Sequence, residues 1–480
     1  MRSLYQTLVL FTIIIVEGYI VLASELLTIR QTIPYVGSGT DTISIIIAAV
    51  LMPLAFGYHF GGKFKPRKVF GKFITIRKKL IVNIAISSTF LTFALSYVFI
   101  RIFFKWLPTI GYEDNISKTV IFCLIFIVVP VYLLGQTVPL ISNYFSKEKL
   151  AQITGKILFF STVGSFFGAV FSSVILMSTL GVHHTASLNF VLLTILVTLL
   201  QKRKMGIITL YMVSLTLFML FINSDVIMNN RKIRKNNQYN TIQTVELNEK
   251  GRFLFVNENH SSHYKDDGSK YNYIEFAEKV GLESILLSTT QHNILVIGAG
   301  GFTFGHNDRN PTNQYTYVDI DKDLKDVAER YILKEPIGDN KSFVPKPARA
   351  FLTETDKKYD LIYLDAYKGG VSIPEQLVTQ EFYEQIKSHL KDKGILITNF
   401  ILSPNFNNAL SRNLDNTFRS VFPHVSRYII NGNYHLWTDS KTLSINVAYL
   451  YRHEDDYDYG HIYTDNKNTV FYDKPKKLTP

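Results

Sequence analysis

Asn293-Ile-Leu-Val-Ile-Gly-Ala-Gly-Gly301 is the stretch on which the fold of the second half of the chain turns. Its apolar run has the length of a strand buried on both faces. Glycines follow at once, as where a backbone turns sharply or lets a ligand approach. Three further runs share this character: Gln314-Tyr-Thr-Tyr-Val318, Tyr359-Asp-Leu-Ile-Tyr-Leu364 and Gly394-Ile-Leu-Ile-Thr398. Helical patterns occupy 322–331 and 379–391. Buried strands alternating with helices predict a parallel, doubly wound sheet. Upstream, Thr241-Ile-Gln-Thr-Val-Glu246 and Arg252-Phe-Leu-Phe-Val256 flank a turn at Asn248-Glu-Lys-Gly251 and read as a hairpin, followed by a helix near 271–287.

Ligands of such sheets bind beyond the carboxyl ends of the strands. Gly298 and Gly300 fall there, directly after the first strand. Asp319 ends the second strand, about 20 residues past the glycines, where an acid suits a ribose diol. A helix N-cap is the plainer role for it, open to Asp321 as well. Asp365 ends the strand Tyr359–Leu364 and is the candidate for proton transfer. Together these residues fit a nucleoside-containing ligand such as S-adenosylmethionine. The glycine loop is not a full GxGxxG, since Phe304 holds the last position, and no GxxxxGK[ST] phosphate loop is present.

The first half reads differently. The chain has 480 residues, 47% of them hydrophobic, which excludes a disordered protein. Its one cysteine, Cys123, excludes a disulfide framework and a Cys-rich metal site. The net charge of +12 is unevenly placed: residues 1–235 hold 23 Lys/Arg against 7 Asp/Glu, and residues 236–480 hold 28 against 32. Basic charge on the half with long apolar runs is a membrane pattern, and it argues against a nucleic-acid partner. Seven stretches approach the roughly 20 apolar residues that cross a bilayer: 5–27, 42–61, 80–104, 118–142, 154–180, 184–201 and 205–223. The expectation is an integral multi-pass protein of the cell (inner) membrane, with a domain boundary at Arg231-Lys-Ile-Arg-Lys235. The basic loops place the N-terminus in the cytoplasm, so seven spans would put the C-terminal half outside, and six would put it inside. Glu17 and Glu25 lie inside the first stretch, Glu25 within reach of Arg30 as a structural pair. Gly164-Ser-Phe-Phe-Gly168 reads as a helix-packing motif. His183-His184 reads as an interfacial pair, so no metal ligands are expected.

Residues 238–475 resemble the spermidine synthase (polyamine aminopropyltransferase) family, and most of all its membrane-fused branch. The most specific segment is Lys358-Tyr-Asp-Leu-Ile-Tyr-Leu-Asp365-Ala-Tyr, continuing through Ser372-Ile-Pro-Glu-Gln-Leu-Val-Thr-Gln-Glu-Phe-Tyr383 to Leu390-Lys-Asp-Lys-Gly-Ile-Leu-Ile-Thr-Asn399. Val318-Asp-Ile-Asp321, Pro347-Ala-Arg-Ala-Phe-Leu352 and Thr464-Asp465 match in order and spacing, and Ser24-Glu-Leu-Leu-Thr-Ile-Arg30 and Gly57–Gly62 resemble the membrane-fused branch. The resemblance implies three parts: a multi-pass α-helical domain over 1–235, a small β region with a connecting helix over 236–290, and a Rossmann-like domain of S-adenosylmethionine-methyltransferase type over 291–480.

The implied reaction moves an aminopropyl group from decarboxylated S-adenosylmethionine, a co-substrate rather than a bound cofactor, to a small amine such as putrescine, releasing methylthioadenosine. Asp365 aligns with the family's catalytic aspartate, and Gly298, Gly300, Asp319 and Ala348 with its nucleoside-binding positions. Asn240, Tyr273, Glu275 and Tyr367 align with its substrate positions. Family members often form homodimers, though no dimer surface is legible here. The sequence departs from the pattern at Gly301, Pro347 and Lys368, where the family has carboxylates or a Gly-Asp pair. Two other readings rest on these departures and on Glu17 and Glu25: an S-adenosylmethionine-type transferase with another donor or acceptor, and a non-catalytic membrane transporter or sensor with a degenerate Rossmann-like domain.

Overall fold

The structure is a computed structural model that describes residues 4–69, 72–143, 150–201, 206–285, 291–308, 310–368, 373–430, 445–451 and 463–465. Of the basic loops that orient the chain, Lys147, Lys149, Lys202, Arg203 and Lys204 lie outside the described residues. The chain divides into two compact units, one of residues 1–36, 40–231 and 236–238, the other of the remainder.

The first unit is helical. Its elements are α1 (Leu4–Val36), α2 (Thr40–Gly62), a short hairpin of β1 (Arg67–Val69) and β2 (Lys72–Ile74), α3 (Ile76–Leu95), α4 (Tyr97–Trp106), α5 (Asn115–Phe126), α6 (Val128–Gly135) and α7 (Thr137–Ser142). After these come α8 (Leu150–Phe166), a π-helical stretch Phe167–Leu176, the single turn α9 (Met177–Thr179), α10 (Val182–Leu200), α11 (Ile207–Ile222) and α12 (Asp225–Asn230). Among the described residues, six helices are long and apolar enough to cross a membrane, and the pair Asn115–Phe126 and Val128–Ser142, bent by 43°, would make a seventh. The third expected stretch, 80–104, is not one helix: Ser96 is extended, so α3 stops at Leu95 and α4 starts anew.

Polar groups of this unit turn inward. Glu17, Arg30, Asn83, Gln136 and Asn189 are buried. Asn83 donates to Gln136 Oε1 at 3.0 Å, and Arg30 Nε to the Asn237 carbonyl at 2.7 Å. The exposed large apolar side chains are nearly all here, Ile207 at 88% exposure among them, as suits a surface facing hydrocarbon rather than water. The Gly164–Gly168 pair does pack helices. A Cβ at Gly164 would lie 2.1 Å from the Ile15 carbonyl oxygen, and one at Gly168 2.3 Å from that of Tyr19.

The second unit opens with a four-stranded antiparallel sheet, β3 (Ile233–Asn236), β4 (Thr241–Leu247), β5 (Gly251–Val256) and β6 (Asn259–Tyr264), in that order. The expected hairpin is β4–β5, with Leu247 paired to Gly251. β3 begins inside the basic run 231–235. Helix α13 (Asn272–Ile285) follows, then β7 (Asn293–Ile297), β8 (Gln314–Asp319), α14 (Leu324–Ala328), β9 (Lys341–Pro345), α15 (Ala348–Glu354), β10 (Tyr359–Leu364), α16 (Gln380–Ser388), β11 (Leu390–Leu402), α17 (Ala409–Val421), β12 (Val425–Ile429) and β13 (Ile445–Tyr451).

These strands form one seven-stranded sheet of order β12-β13-β11-β10-β7-β8-β9. The four strands expected are parallel to one another. β7 to β11 run parallel, but β13 lies antiparallel to β11, and β12 antiparallel to β13. Alternate residues of the central strands feed different cores. Leu295 and Ile297 join Leu352, Phe382, Leu414 and Phe418, whereas Ile294 and Val296 join Ile274, Ala277, Leu324 and Val327. Helices therefore cover both faces, as the unbroken apolar character of these strands requires. This is the doubly wound Rossmann-like arrangement of methyltransferase type.

Candidate active site

The order β10-β7-β8 sets three strand ends side by side. The backbone ladder runs to the last residue of each: Asp365 N–H donates to the Ile297 carbonyl, and Gly298 N–H to that of Val318, both at 2.9 Å. Asp365, Gly298 and Asp319 thus meet at the carboxyl edge, where β7 sends its neighbours to opposite sides. Gly298 must be glycine there. Its φ is +91°, and a Cβ would stand 2.2 Å from the Asp365 carbonyl oxygen. No regular helix follows β7 among the described residues; 301–307 run as turns. That explains Phe304 in place of a third glycine, whose usual use is close helix packing. Its ring instead stacks on Tyr363 at 4.3 Å between centroids.

Asp319 is half-buried and held from the backbone. Its Oδ2 accepts from Ala299 N–H and its Oδ1 from Asp321 N–H, each at 3.1 Å. Burial pushes its carboxyl up to about 6, against those hydrogen bonds. Asp321 takes the local turn role: it is fully buried and accepts from Asp323 N–H at 3.1 Å. Its other oxygen accepts from Asn240 at 2.9 Å. Ala348 starts α15, half-buried, after Pro347.

Asp365 is held by side chains. Asn399 Nδ2 donates to Oδ1 at 3.0 Å, and the Tyr363 hydroxyl to Oδ2 at 3.1 Å. Tyr273 also lies within hydrogen-bonding reach of it. Burial raises the carboxyl to about 6, and the three hydrogen bonds hold it down against that. The phenols of Tyr273, Tyr363 and Tyr367 are pushed well above their ordinary range, first by burial and then by the Asp365 charge, so they stay protonated donors. Tyr367 sits one step away, donating to the Asn399 carbonyl at 3.1 Å and accepting from Ile401 N–H at 2.8 Å.

The remaining expected substrate residues are placed unevenly. Tyr273 faces Asp365. Glu275 is exposed, and its carboxylate accepts from Lys270 N–H at 2.8 Å. Asn240 belongs to a buried network: Asn257 donates to its Oδ1 at 2.8 Å and to the Lys368 carbonyl at 2.8 Å. Gly301 has a steric reason. Ser262 from β6 accepts from its N–H at 2.8 Å, and a Cβ at 301 would stand 2.8 Å from Ser262 Cβ, so an aspartate has no room. Thr464-Asp465 lies against α15 and α16. Asp465 takes a bidentate pair from Arg349 at 2.7 and 2.8 Å, and accepts from Thr379 at 2.9 Å.

Sequence reasoning gave no role to Asn399, Tyr363, Ser262 or Asn257. Tyr363 stands just before the end of β10, a placement that could have flagged it; Asn399 lies within β11, opposite Asp365. Ser262 and Asn257 carry no such signal.

Residues 277–432 match the family model for the spermine/spermidine synthase domain. A polyamine aminopropyltransferase of Vibrio vulnificus is 30% identical over 164 residues, covering 33% of this chain and 52% of the relative. A probable polyamine aminopropyl transferase of Bifidobacterium longum is 28% identical over 163 residues, covering 33% of this chain and 34% of the relative. The chain thus spans about half or less of these relatives. The crystal structure of a probable spermidine synthase from Corynebacterium glutamicum aligns with a TM-score of 0.39 at 18% identity, over 46% of this chain and 79% of that one. Over residues 277–432 the chain is thus similar to spermine/spermidine synthase domains.

Proposed function

We propose that the chain is a membrane-anchored aminopropyltransferase that uses decarboxylated S-adenosylmethionine and a small amine. The observation that carries this reading is the carboxylate of Asp365, raised by burial yet gripped by Asn399 and Tyr363, beside the glycine loop and Asp319. Asp319 offers its carboxylate to the ribose diol, and Gly298 and Gly300 let the donor lie against the backbone. The amine nitrogen attacks the aminopropyl carbon next to the sulfonium. The new C–N bond forms as the C–S bond breaks, and its electron pair leaves on sulfur as neutral methylthioadenosine. The nitrogen carries an extra proton through this step, and Asp365 takes it. Because the leaving group is good, most of the rate comes from alignment. The apolar helices of the first unit anchor the enzyme in the lipid bilayer.

The test is methylthioadenosine release by the purified full chain in nanodiscs, supplied with decarboxylated S-adenosylmethionine and a panel of amines. Release that needs an amine and drops about 10²–10⁴-fold in Asp365→Asn supports the reading. Unchanged turnover in that variant removes Asp365 from the reaction.

A second reading, the same chemistry on an acceptor other than a diamine, is favoured by Lys368 and by Ser262 at the place of the missing acid. A dicationic acceptor wants a carboxylate at each end, and a lysine repels it. A monoamine outperforming putrescine in the same panel would select this reading.

A further inference from the structure

His183 and His184 open α10 directly after Gly181, and Asp225 opens α12 after its cap, Ser224. Although 42 and 41 residues apart in sequence, the three side chains meet. His183 Nε2 lies 3.0 Å and His184 Nε2 3.3 Å from the same oxygen, Asp225 Oδ1. One ligand atom from each residue lies within 4.8 Å of the others. In a tetrahedral zinc site with bonds of about 2.05 Å, donor atoms stand about 3.3 Å apart. Both distances to Asp225 are close to the edges of such a tetrahedron.

We propose that His183, His184 and Asp225 form a binding site for a divalent transition-metal ion of zinc type. Two imidazoles and one carboxylate are a donor set that zinc accepts, with a fourth position left for water or another ligand. That position faces outward. The side chain of His183 is 10% exposed, whereas those of His184 and Asp225 are 37% and 72% exposed. The ring of His183 is oriented by packing, since its Nδ1 has no hydrogen-bond partner among the described residues and a Cβ at Gly181 would come within 2.9 Å of its Cε1. Without an outer acceptor to fix the ring, affinity falls about 10- to 100-fold below that of a fully supported site. The ion would clip the start of α10 to the α11–α12 junction. This inference stands apart from the transferase reading, because none of its residues belongs to the second unit.

The test uses the full chain in nanodiscs, purified on a tag without histidines, stripped with chelator and titrated with Zn(II) and Co(II). One saturable equivalent is expected, with the visible absorption of four-coordinate Co(II) and a rise in melting temperature on loading. His184→Ala and Asp225→Ala, both at exposed positions, should each weaken binding at least about tenfold. Equal binding by the double variant places the metal elsewhere and overturns the proposal. So does the absence of saturable binding by a chain whose cooperative melt shows it to be folded.

Discussion

Asn399 Nδ2, within β11, donates to Oδ1 of Asp365, the residue that follows β10, at 3.0 Å. The same carboxamide donates to Asn446 Oδ1 at 3.0 Å, so its direction is fixed from the antiparallel side of the sheet. This hydrogen bond favours the ionised carboxylate. Asn399→Ala should raise the Asp365 pKa above about 6 and carry the rising limb of kcat/KM to higher pH. At pH 7 the rate should fall about tenfold, the value of one hydrogen bond to a charged group. A pH–rate profile identical to wild type would detach Asn399 from the reacting carboxylate.

Asp365 also leaves a signature in stability. Its carboxyl holds a proton more tightly in the folded chain, at about 6, than its ordinary value of 3.8. Its contribution is therefore favourable below pH 4 and is lost as pH rises through 6. The ionised form costs the fold on the order of 2–3 kcal/mol. Asp365→Asn should melt higher than wild type at pH 8, with the gain shrinking towards pH 4. Thermal scans across that range check it; a gain independent of pH contradicts the raised carboxyl.

Asp319 is assigned to the donor alone. Asp319→Ala should weaken binding of methylthioadenosine about 10- to 100-fold, as expected for lost hydrogen bonds to a charged group. The KM for the amine should stay within about twofold. Calorimetry for the nucleoside and steady-state kinetics for the amine separate the two. Equal losses in both would mean that Asp319 shapes the whole crevice.

In the helical unit, two glycines of α8 make a matched pair. Among the described residues nothing lies within 4 Å of a Cβ at Gly155, whereas one at Gly164 would collide with the Ile15 carbonyl oxygen at 2.1 Å. Gly155→Ala should be neutral or stabilising by up to about 1 kcal/mol. Gly164→Ala should destabilise by about 1–3 kcal/mol or more, since backbone on α1 must move. Melting of both variants in the same nanodiscs measures the difference, and equal melts would separate α1 from α8.

The central strands were legible because each is a short apolar run buried on both faces. β9 was not: Lys341-Ser-Phe-Val-Pro345 is an edge strand, polar at one end and closed by proline. β12 and β13 were not among the expected strands, and their antiparallel pairing is something that periodicity does not specify. The same limit governs the site. Asp319 and Asp365 announce themselves by ending strands, whereas Asn399, Ser262 and Asn257 act through neighbours that only the folded sheet supplies. His183-His184 was visible as a pair, but its third partner, Asp225, comes from 41 residues downstream.

The Asn257 side chain spans Asn240 and the Lys368 carbonyl, tying the β5–β6 turn to the segment just after Asp365. In the proposed reaction the nucleoside would lie against the ends of β7 and β8, and the amine between the small sheet and the residues after β10. On that reading, two separately encoded pieces of chain meet at one reacting carbon. A lineage could trade one amine for another by rewriting the small sheet, while the donor end and the proton acceptor stay as they are.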